Sequence, residues 1–375
     1  KGDFAFVTTN SVTQGIQVPV YWPYLFSKNL CIIFARRSFL WSNNAAKNAG
    51  VKCVIIGIGK KRSSNFIFEE ESCREVNVIN PYLLPTETII VNKLSQPIAN
   101  IGKMFKGNLP GDGNHLTLSQ QEKNELINEN YDLKKIILPL YGAQESIRGL
   151  QRYCLWIDDE DLALANSNEF IKNRIKLVYE TRLNSKDPSY NALINRPHQF
   201  RDRKLAKYST ILVPTVSSER REYLPIAVFN GLIGTTNAAL ALYDESLWNM
   251  SLLSSKIHLV WIATVCGKLK TDYRYSNVLG WNTFPVPSLT DNNKKEMNKS
   301  AENILLVRES YYPDNLSKLY DPDIMPNDLK AAHEHNDEII ERIYIGRRFK
   351  NNTERLEKLF DLYIHAIKNK KAEIN

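Results

Sequence analysis

Nearly continuous apolar runs at the start of the chain predict buried strands of an α/β sheet. The runs are FAFVTTNS at 4–11, LCIIFARR at 30–37 and VKCVIIGIG at 51–59. Runs of this length that do not alternate are typical of strands covered on both faces. The last two are expected to form an antiparallel pair at the edge of the sheet. The polar stretch 60–75 is expected to lead out of this domain.

The middle of the chain mixes helix and strand patterns. Ser119 and Glu122 have the spacing of a capping box, in which each side chain satisfies a backbone N–H at the start of a helix. The patterns predict a helix at 120–128, a strand at 152–157, a helix at 161–183 and paired strands at 210–229. This mixture predicts an α+β domain.

The stretch GKLKTDYRYSNVLGWNTFPVP at 267–287 alternates charged and packing side chains. The charged residues at every second position are Lys268, Lys270, Asp272 and Arg274. On one extended strand they would share a face, with Tyr273 on the other. Such a row suits reading base edges in a DNA groove, and an exposed edge strand with solubilising charge is the alternative. A helix at 254–266, with Gly267 at its C-terminal stop, would position this strand.

The last part of the chain has a helical pattern. One helix is predicted at 327–344, and a second has an apolar stripe at helical spacing. The stripe consists of Leu356, Leu359, Phe360, Tyr363, Ile364 and Ile367. The sequence therefore predicts a helical C-terminal region.

Length, composition and cysteine usage indicate the broad class of protein. With 375 residues, the chain is long enough for more than one domain. No apolar run approaches the roughly 20 residues that cross a bilayer. The cysteine usage predicts a cytoplasmic protein. A net charge of +8 is compatible with a polyanionic partner. Five cysteines, an odd number without a C-x-x-C pair, indicate reduced thiols and neither a disulfide framework nor a zinc site.

The chain lacks a complete catalytic constellation. There is no Walker motif, and no glutamate is followed two positions later by lysine, as metal-dependent nucleases usually require. GIGKKR at 57–62 begins like a dinucleotide loop but has Arg62 where the third glycine belongs. His333 and His335 would lie on different faces of a helix. No metal site is therefore expected. Because Lys1 leads directly into a strand, an earlier part of the domain is expected outside this sequence.

Seven stretches carry a resemblance to a known family. They are FAFVTTNSVTQGIQV (4–18), FARRSFLWSNNA (34–45), YGAQESIRGLQRYCLWI (141–157), VPTVSSERREYLPI (213–226), SSKIHLVWIATVCGKLKTDYRYS (254–276), NTFPVP (282–287) and LYDPDIMP (319–326). In this order they resemble the C-terminal portion of the MmeI-type restriction–modification enzymes, which carry an adenine-N6 DNA methyltransferase.

The resemblance implies a fold and a function for each part of the chain. The C-terminal strands of a Rossmann-like methyltransferase sheet would be followed by a mixed α+β target-recognition domain and a helical C-terminal region, with boundaries at 1–65, 66–287 and 288–375. The S-adenosylmethionine loop, the Asn-Pro-Pro-aromatic catalytic motif and the nuclease would lie upstream. This part alone is then expected to be inactive, and its partners would be double-stranded DNA and the upstream part of the same polypeptide.

The resemblance also implies roles for particular residues. Phe39 and Trp41 would lie in the loop that offers an aromatic ring to a flipped adenine, with Phe39 favoured; packing at the domain junction is the alternative. The residues implied in DNA binding are Lys268, Lys270, Asp272, Tyr273, Arg274, Arg220 and Arg221. For the last two, internal pairing with Glu219 and Glu222 is the alternative. The basic cluster of Arg201, Arg203, Lys204 and Lys207 is expected to be a solvated face.

Two other functions remain open at this point. One is a non-catalytic DNA-binding subunit resembling the specificity subunits of type I restriction systems. The other is a structural α/β protein or nonfunctional remnant. Salt-dependent binding of duplex DNA separates the last from the nucleic-acid functions.

Overall fold

The first part of the chain forms a five-stranded mixed sheet. In the computed structural model, the protein is described for residues 2–41 and 51–372. The strands of this sheet are β1 (Phe4–Thr9), β2 (Leu30–Trp41), β3 (Val51–Lys60), β4 (Asn65–Glu69) and β5 (Ser72–Val76). Their order is β1-β3-β2-β4-β5, with β3 antiparallel to both β1 and β2, and β2 parallel to β4. The α/β class is therefore confirmed.

Two details of the prediction for this sheet are wrong. The antiparallel pairing of β2 with β3 is confirmed, but both strands lie inside the sheet because β4 and β5 extend it. The polar stretch 60–75 thus continues the sheet instead of leaving the domain. Asn65 and Ile67 of β4 are buried while their neighbours are exposed. This two-residue alternation is typical of a strand with one covered face, and the overall polarity of the stretch hides it.

The remaining strands build three small sheets. In chain order they are β6 (Met104–Lys106), β7 (Thr117–Leu118), β8 (Ile137–Tyr141), β9 (Tyr153–Leu155), β10 (Ser209–Pro214), β11 (Val216–Ser217), β12 (Ala227–Asn230), β13 (Gly234–Thr235), β14 (Ala239–Tyr243), β15 (Gly267–Leu269) and β16 (Asp272–Arg274). The sheet orders are β12-β10-β14-β6, β13-β8-β9-β7 and β11-β16-β15. The predicted pairing within 210–229 is confirmed, because β10 and β12 are antiparallel with Ile211 opposite Val228.

Helices cover these sheets and form the C-terminal region. They are α1 (Gln17–Ser27), α2 (Gln120–Glu129), α3 (Ala143–Arg148), α4 (Leu162–Asn166), α5 (Glu169–Leu183), α6 (Pro188–Asn191), α7 (Trp248–Leu253), α8 (Lys256–Val265), α9 (Asp291–Glu309), α10 (Leu316–Leu319), α11 (Asn327–Ile345) and α12 (Asn352–Ala372). The capping box is confirmed: the Ser119 hydroxyl accepts from the Glu122 N–H at 3.2 Å, and the Glu122 carboxylate accepts from the Ser119 N–H at 2.7 Å.

Two helix predictions need correction. The helix predicted at 161–183 is broken between α4 and α5, because Asn168 is extended and its side chain caps α5 by accepting from the Ile171 N–H. Gly267 is not a helix stop, since α8 ends at Val265 and the extended Cys266 leads directly into β15. β15 therefore begins without a left-handed turn after the helix.

The C-terminal helices pack onto the middle of the chain. Leu359 and Phe360 of α12 are fully buried, and the Phe360 ring lies 5.2 Å from Trp261 of α8. The predicted apolar stripe and the helical C-terminal region are confirmed. His333 of α11 is buried and its Nε2 lies 2.7 Å from the Tyr320 hydroxyl. This contact makes it part of the core packing.

Three chemical properties follow from the described part of the chain. All five cysteines are free thiols. Within residues 2–41 and 51–372, no cluster of His, Cys, Asp and Glu suits a metal ion. None of the helices in these ranges combines the length and apolarity that crossing a membrane requires.

A buried carboxylate joins the C-terminal helices to the middle region. One oxygen of Asp337 in α11 accepts from the Lys256 N–H at the start of α8 at 2.7 Å, and the other accepts from the Tyr223 hydroxyl at 2.9 Å. Burial raises the pKa of Asp337 to about 6, although both hydrogen bonds oppose this shift. The folded protein therefore holds this proton more tightly than the unfolded chain does.

We expect Asp337→Asn to change how stability depends on pH. Because the folded pKa lies above the ordinary value of about 3.9, native Asp337 loses stabilising effect as the pH rises from about 4 through 6. The variant does not titrate, so its stability relative to the native protein should rise over this window by on the order of 2–3 kcal/mol. Hydrogen exchange of peptides from α8 and α11 at pH 4.5 and 7.5, corrected for the intrinsic exchange rate at each pH, measures the change in both proteins. A stability difference that stays constant with pH would contradict the prediction.

Candidate nucleic-acid interface

The carboxyl ends of two strands meet at one edge of the first sheet. Since β1 and β2 are both antiparallel to β3, they run parallel to each other. Thr9 at the end of β1 and Phe39 near the end of β2 are both register partners of Cys53. Ligands of open α/β sheets bind at the carboxyl ends of the strands. This edge is therefore the part of the sheet best suited to hold a ligand.

A groove of about 630 Å³ lies between this edge and the start of the 267–287 stretch. The residues that supply its polar lining are Thr9, Asn10, Ser11, Gln14, Lys52, Lys268, Lys270 and Thr271. Three of these side chains are cationic and the others are hydrogen-bonding groups. The lining therefore suits a negatively charged ligand that also offers hydrogen-bond acceptors.

A close backbone contact holds the two sides of the groove together. Gly15 has a positive φ of 57°, and a Cβ on it would lie 3.1 Å from both the Cα and the N of Gly267. Such a distance is too tight for an ordinary side chain, so this approach depends on glycine. The start of β15 is therefore seated directly on the segment that follows β1.

The predicted single strand with four charges on one face is wrong. β15 and β16 form a tight antiparallel hairpin, in which Lys268 is opposite Tyr273 and Leu269 is opposite Asp272. The turn consists of Lys270, with φ of 58°, and Thr271. It reverses the chain, so Lys268 shares a face with Tyr273, and Asp272 lies on the other face. The turn has none of the glycine or asparagine that usually indicates a hairpin, which is why the pattern conceals it.

The hairpin divides the charged residues into two groups. Lys268 is half-buried, with its Nζ 3.0 Å from a Glu219 oxygen and 5.4 Å from the centre of the Tyr273 ring. The pKa of Tyr273 is raised by burial and by Glu219. These two residues therefore support the hairpin. Lys270, Asp272 and Arg274 form no ion pair among the described residues, and Lys270 and Arg274 are exposed.

The two arginines of the SSERRE segment differ in their environment. Arg220 is exposed and donates to both oxygens of Asp323, at 2.6 and 2.8 Å, and this pairing raises its pKa. Arg221 is half-buried and 3.4 Å from the Ser217 hydroxyl, and burial lowers its pKa. Neither pairs with Glu219 or Glu222, so the predicted internal partners are wrong. A role in DNA binding stays a prediction for both.

Phe39 and Trp41 lie on the last residues of β2, whereas the sequence predicted that they belong to a loop. Their ring centres are 6.5 Å apart, and the Arg36 guanidinium lies 5.5 Å from the Phe39 ring. Trp41 is 48% exposed. The rest of the predicted loop, residues 42–50, lies outside the described part of the chain. Because they are two positions apart on a strand, both rings project from the same face.

The basic cluster at 201–207 is largely engaged in internal contacts. Arg203 pairs with Asp158 at 2.5 Å and lies 4.9 Å from the Trp156 ring. The Lys204 ammonium lies 4.1 Å from the Phe105 ring. These two cations therefore hold neighbouring segments together and are not simply part of a solvated face.

Two further residues of the site have no signal in the sequence. Lys52 of β3 donates to Glu219 at 2.7 Å, and the same Glu219 oxygen accepts from Lys268. Burial alone would raise the pKa of Glu219, but the two ammonium groups bring it below the usual range. Lys52 and Glu219 are 167 positions apart, so only the folded structure reveals the contact.

Comparison with known proteins matches three successive parts of the chain to MmeI domains. Residues 1–69 match the family described as MmeI, DNA-methyltransferase domain; residues 85–288 match MmeI, target recognition domain; and residues 289–369 match MmeI, C-terminal domain. The boundaries at 1–65, 66–287 and 288–375 stay a prediction.

Two relatives extend over nearly the whole chain. DNA methyltransferase A of Bacillus subtilis (strain 168) is 39% identical over 361 residues, which are 96% of this chain and 41% of that protein. The structure of the Type IIL restriction-modification enzyme MmeI in complex with DNA is 34% identical with a TM-score of 0.86, over 98% of this chain and 50% of the other. The chain thus spans about half, or less, of the length of these relatives.

Proposed function

The chain belongs to the MmeI family, and from this premise we propose that it is the DNA-reading part of a site-specific adenine-N6 DNA methyltransferase of a restriction–modification system. It contains only part of a methyltransferase domain. We therefore propose that methyl transfer needs the upstream part of the same polypeptide, and that double-stranded DNA is the substrate. The first sheet argues against a stand-alone specificity subunit, which would have no use for the end of a methyltransferase domain.

The observation that carries this proposal is the position of the hairpin. The carboxyl edge of the first sheet contributes Thr9 and Lys52 to one side of the groove, and Lys268 and Lys270 of the hairpin line the other side. Duplex DNA lying along this groove would meet the recognition hairpin on one side and the methyltransferase sheet on the other. Lysines at this junction would attract its phosphates.

We assign base reading to the exposed end of the hairpin. Lys270 is in the turn and Asp272 is the first residue of β16 after the turn, so both lie at the tip of the hairpin. A lysine donates to guanine O6 and N7, and a carboxylate accepts from cytosine N4, so the pair suits one G·C pair. Arg274 lies opposite Gly267 at the base of the hairpin and would act as a further contact.

The exposed apolar side chains near the start of the first sheet support an upstream partner. Phe4 and Val7 of β1 are about half exposed, and Val20 and Tyr24 of α1 are about two-thirds exposed. Within the described residues β1 pairs only with β3, which leaves its other edge open. We propose that the upstream part of the methyltransferase domain pairs with this edge and covers α1.

The groove does not suit the methyl donor itself. S-adenosylmethionine would supply the methyl group, and its sulfonium is a cation. The groove is lined by Lys52, Lys268 and Lys270, and its described lining residues include no carboxylate. These charges favour a polyanion over a cation. We therefore assign no cofactor-binding residue to this chain.

We propose that Phe39, and secondarily Trp41, stacks on the flipped target adenine. Stacking on an aromatic side chain is worth about 1–3 kcal/mol per base. Phe39→Ala is therefore expected to lower the fluorescence increase of 2-aminopurine at the target position and to slow methylation about 5- to 150-fold. Leu40→Ala is the matched control, because Leu40 lies between the two rings on the opposite face and is 64% exposed. Equal effects of both substitutions would contradict the stacking role.

The function is tested with the full-length protein and with residues 1–375 alone. The full-length protein is expected to transfer tritium-labelled methyl groups from S-adenosylmethionine to adenine in duplex DNA, and residues 1–375 are expected to show no transfer. Fluorescence anisotropy should show duplex binding that weakens as salt increases. Salt-independent or absent binding by the full-length protein would refute the proposed function. Methyl transfer by residues 1–375 would refute the proposal that catalysis needs the upstream part of the polypeptide.

A further inference from the structure

We propose that Glu219 is a positioning residue that fixes the recognition hairpin relative to the strands that carry Phe39 and Trp41. It would act through Lys52 on one side and Lys268 on the other. This inference rests on the proposed function, because it concerns the distance between the base pair that is read and the base that is methylated.

One carboxylate oxygen connects the two parts of the site. Oε2 of Glu219 accepts from Nζ of Lys52 at 2.7 Å and from Nζ of Lys268 at 3.0 Å. Lys52 is the register partner of Leu40, the residue between Phe39 and Trp41. Lys268 is the register partner of Tyr273 in the hairpin. A side-chain connection between the strand pair that carries the aromatic rings and the hairpin therefore passes through Glu219.

These ion pairs are more enclosed than ordinary surface pairs. The side chains of Glu219, Lys52 and Lys268 are 21%, 30% and 16% exposed. Exposed pairs contribute little because water screens them, whereas enclosed groups interact more strongly. Without the carboxylate, two ammonium groups would face each other across the groove. Their repulsion would push the hairpin away from β3.

The backbone contact between Gly15 and Gly267 does not by itself fix the orientation of the hairpin. The hairpin base touches the methyltransferase part at Gly15 and Gly267, where the two backbones meet. A contact at one point permits the hairpin to pivot about it. Glu219 supplies a second point of attachment on β15, at Lys268, which is the residue after Gly267. Two points on β15 define the direction in which the hairpin projects.

The direction of the hairpin determines which adenine reaches the aromatic pair. A small rotation at its base moves the tip, which carries Lys270 and Asp272, by a larger distance. Misplacement of reacting groups by about 1 Å can slow an enzyme on the order of a hundredfold. Loss of Glu219 should therefore affect the methylation rate much more than DNA affinity, since the DNA-contacting side chains all remain.

The experiment compares variants of the full-length protein in single-turnover methylation at saturating cognate DNA. Glu219→Gln is expected to lower the rate at least about tenfold and to change Kd for cognate duplex by less than about threefold. Lys52→Gln is expected to lower the rate by a similar factor, and because it also removes one groove lysine its Kd is not part of the test. The double variant should be no slower than either single variant, because both remove the same connection. Lys52→Arg keeps the cation and should retain most of the rate.

Glu222→Gln is the matched control. Glu222 lies in the same segment and also holds two lysines, Lys330 at 2.9 Å and Lys256 at 3.3 Å, but both are away from the groove. It should methylate at the native rate. The inference is overturned if Glu219→Gln behaves like this control, if Kd rises as much as the rate falls, or if the double variant shows additive losses. Failure of the native full-length protein to methylate DNA would instead refute the proposed function.

Discussion

Replacing Arg182 with methionine is expected to destabilise the segment around 187–205 by about 3–5 kcal/mol. Arg182 lies near the end of α5 and its side chain is fully buried. It donates to five backbone carbonyls, those of Pro110, Gly111, Leu193, Arg196 and Gln199. The guanidinium thus satisfies backbone carbonyls that, in a helix or a sheet, would accept from backbone N–H groups.

Methionine would fill much of the same volume but donate no hydrogen bond. The carbonyls that now accept from the guanidinium would be left without these partners, and each buried one costs about 1–3 kcal/mol. Water can reach some of them, because the residues that carry them are half-buried, and this limits the total. The helix itself should persist, since Ile171, Ile175 and Val178 remain packed in the core.

Hydrogen exchange measured peptide by peptide is the suitable method, because a chain with several domains has no single unfolding free energy. Protection in 193–200 should fall by roughly a hundredfold or more, given that about 1.4 kcal/mol corresponds to tenfold. Lys176→Met is the matched control, since Lys176 lies on the same helix with a largely exposed side chain. Equal loss of protection in both variants would show that Arg182 has no special role.

The sequence predicts the regular elements well where local pattern decides them. Strands β1, β2 and β3 were identified from apolar runs, and α2 from its capping box. The predicted burial is wrong for β1, which is exposed or half-buried along its whole length. The hairpin was missed because Lys270 adopts a positive φ that the sequence does not indicate. Alternation over 268–274 is compatible with a strand, and a turn in its middle changes the face of every residue that follows.

The site itself could be predicted only in part. Residues in short stretches, such as Lys270 and Asp272, can be proposed from their chemistry, and their role in base reading stays a prediction. Contacts between distant segments cannot: Gly15 meets Gly267, and Glu219 meets Lys52, only because the whole fold brings these segments together. The same applies to Arg182, whose five acceptors are backbone carbonyls that any sequence would supply.

Exchanging the charges at the hairpin tip should change which base pair is read. In the double variant Lys270→Glu and Asp272→Arg, the donor and the acceptor swap positions. Arginine pairs with guanine and glutamate accepts from cytosine, so the preferred G·C pair should become C·G at one position of the site. Each contact contributes about 1–3 kcal/mol of discrimination, so the preference should invert by at least about a hundredfold.

The double variant contains its own control for electrostatic attraction. One cation and one anion are exchanged, so the net charge is unchanged and the salt dependence of DNA binding should stay as in the native protein. Neither new residue is glycine, so the backbone strain at position 270 is also retained. Sequencing the methylated positions in a library of duplexes measures the preference. An unaltered recognition sequence at the native rate would show that another element reads the bases. Arg274→Ala would then test the base of the hairpin, because loss of this arginine should relax the sequence preference at one base pair.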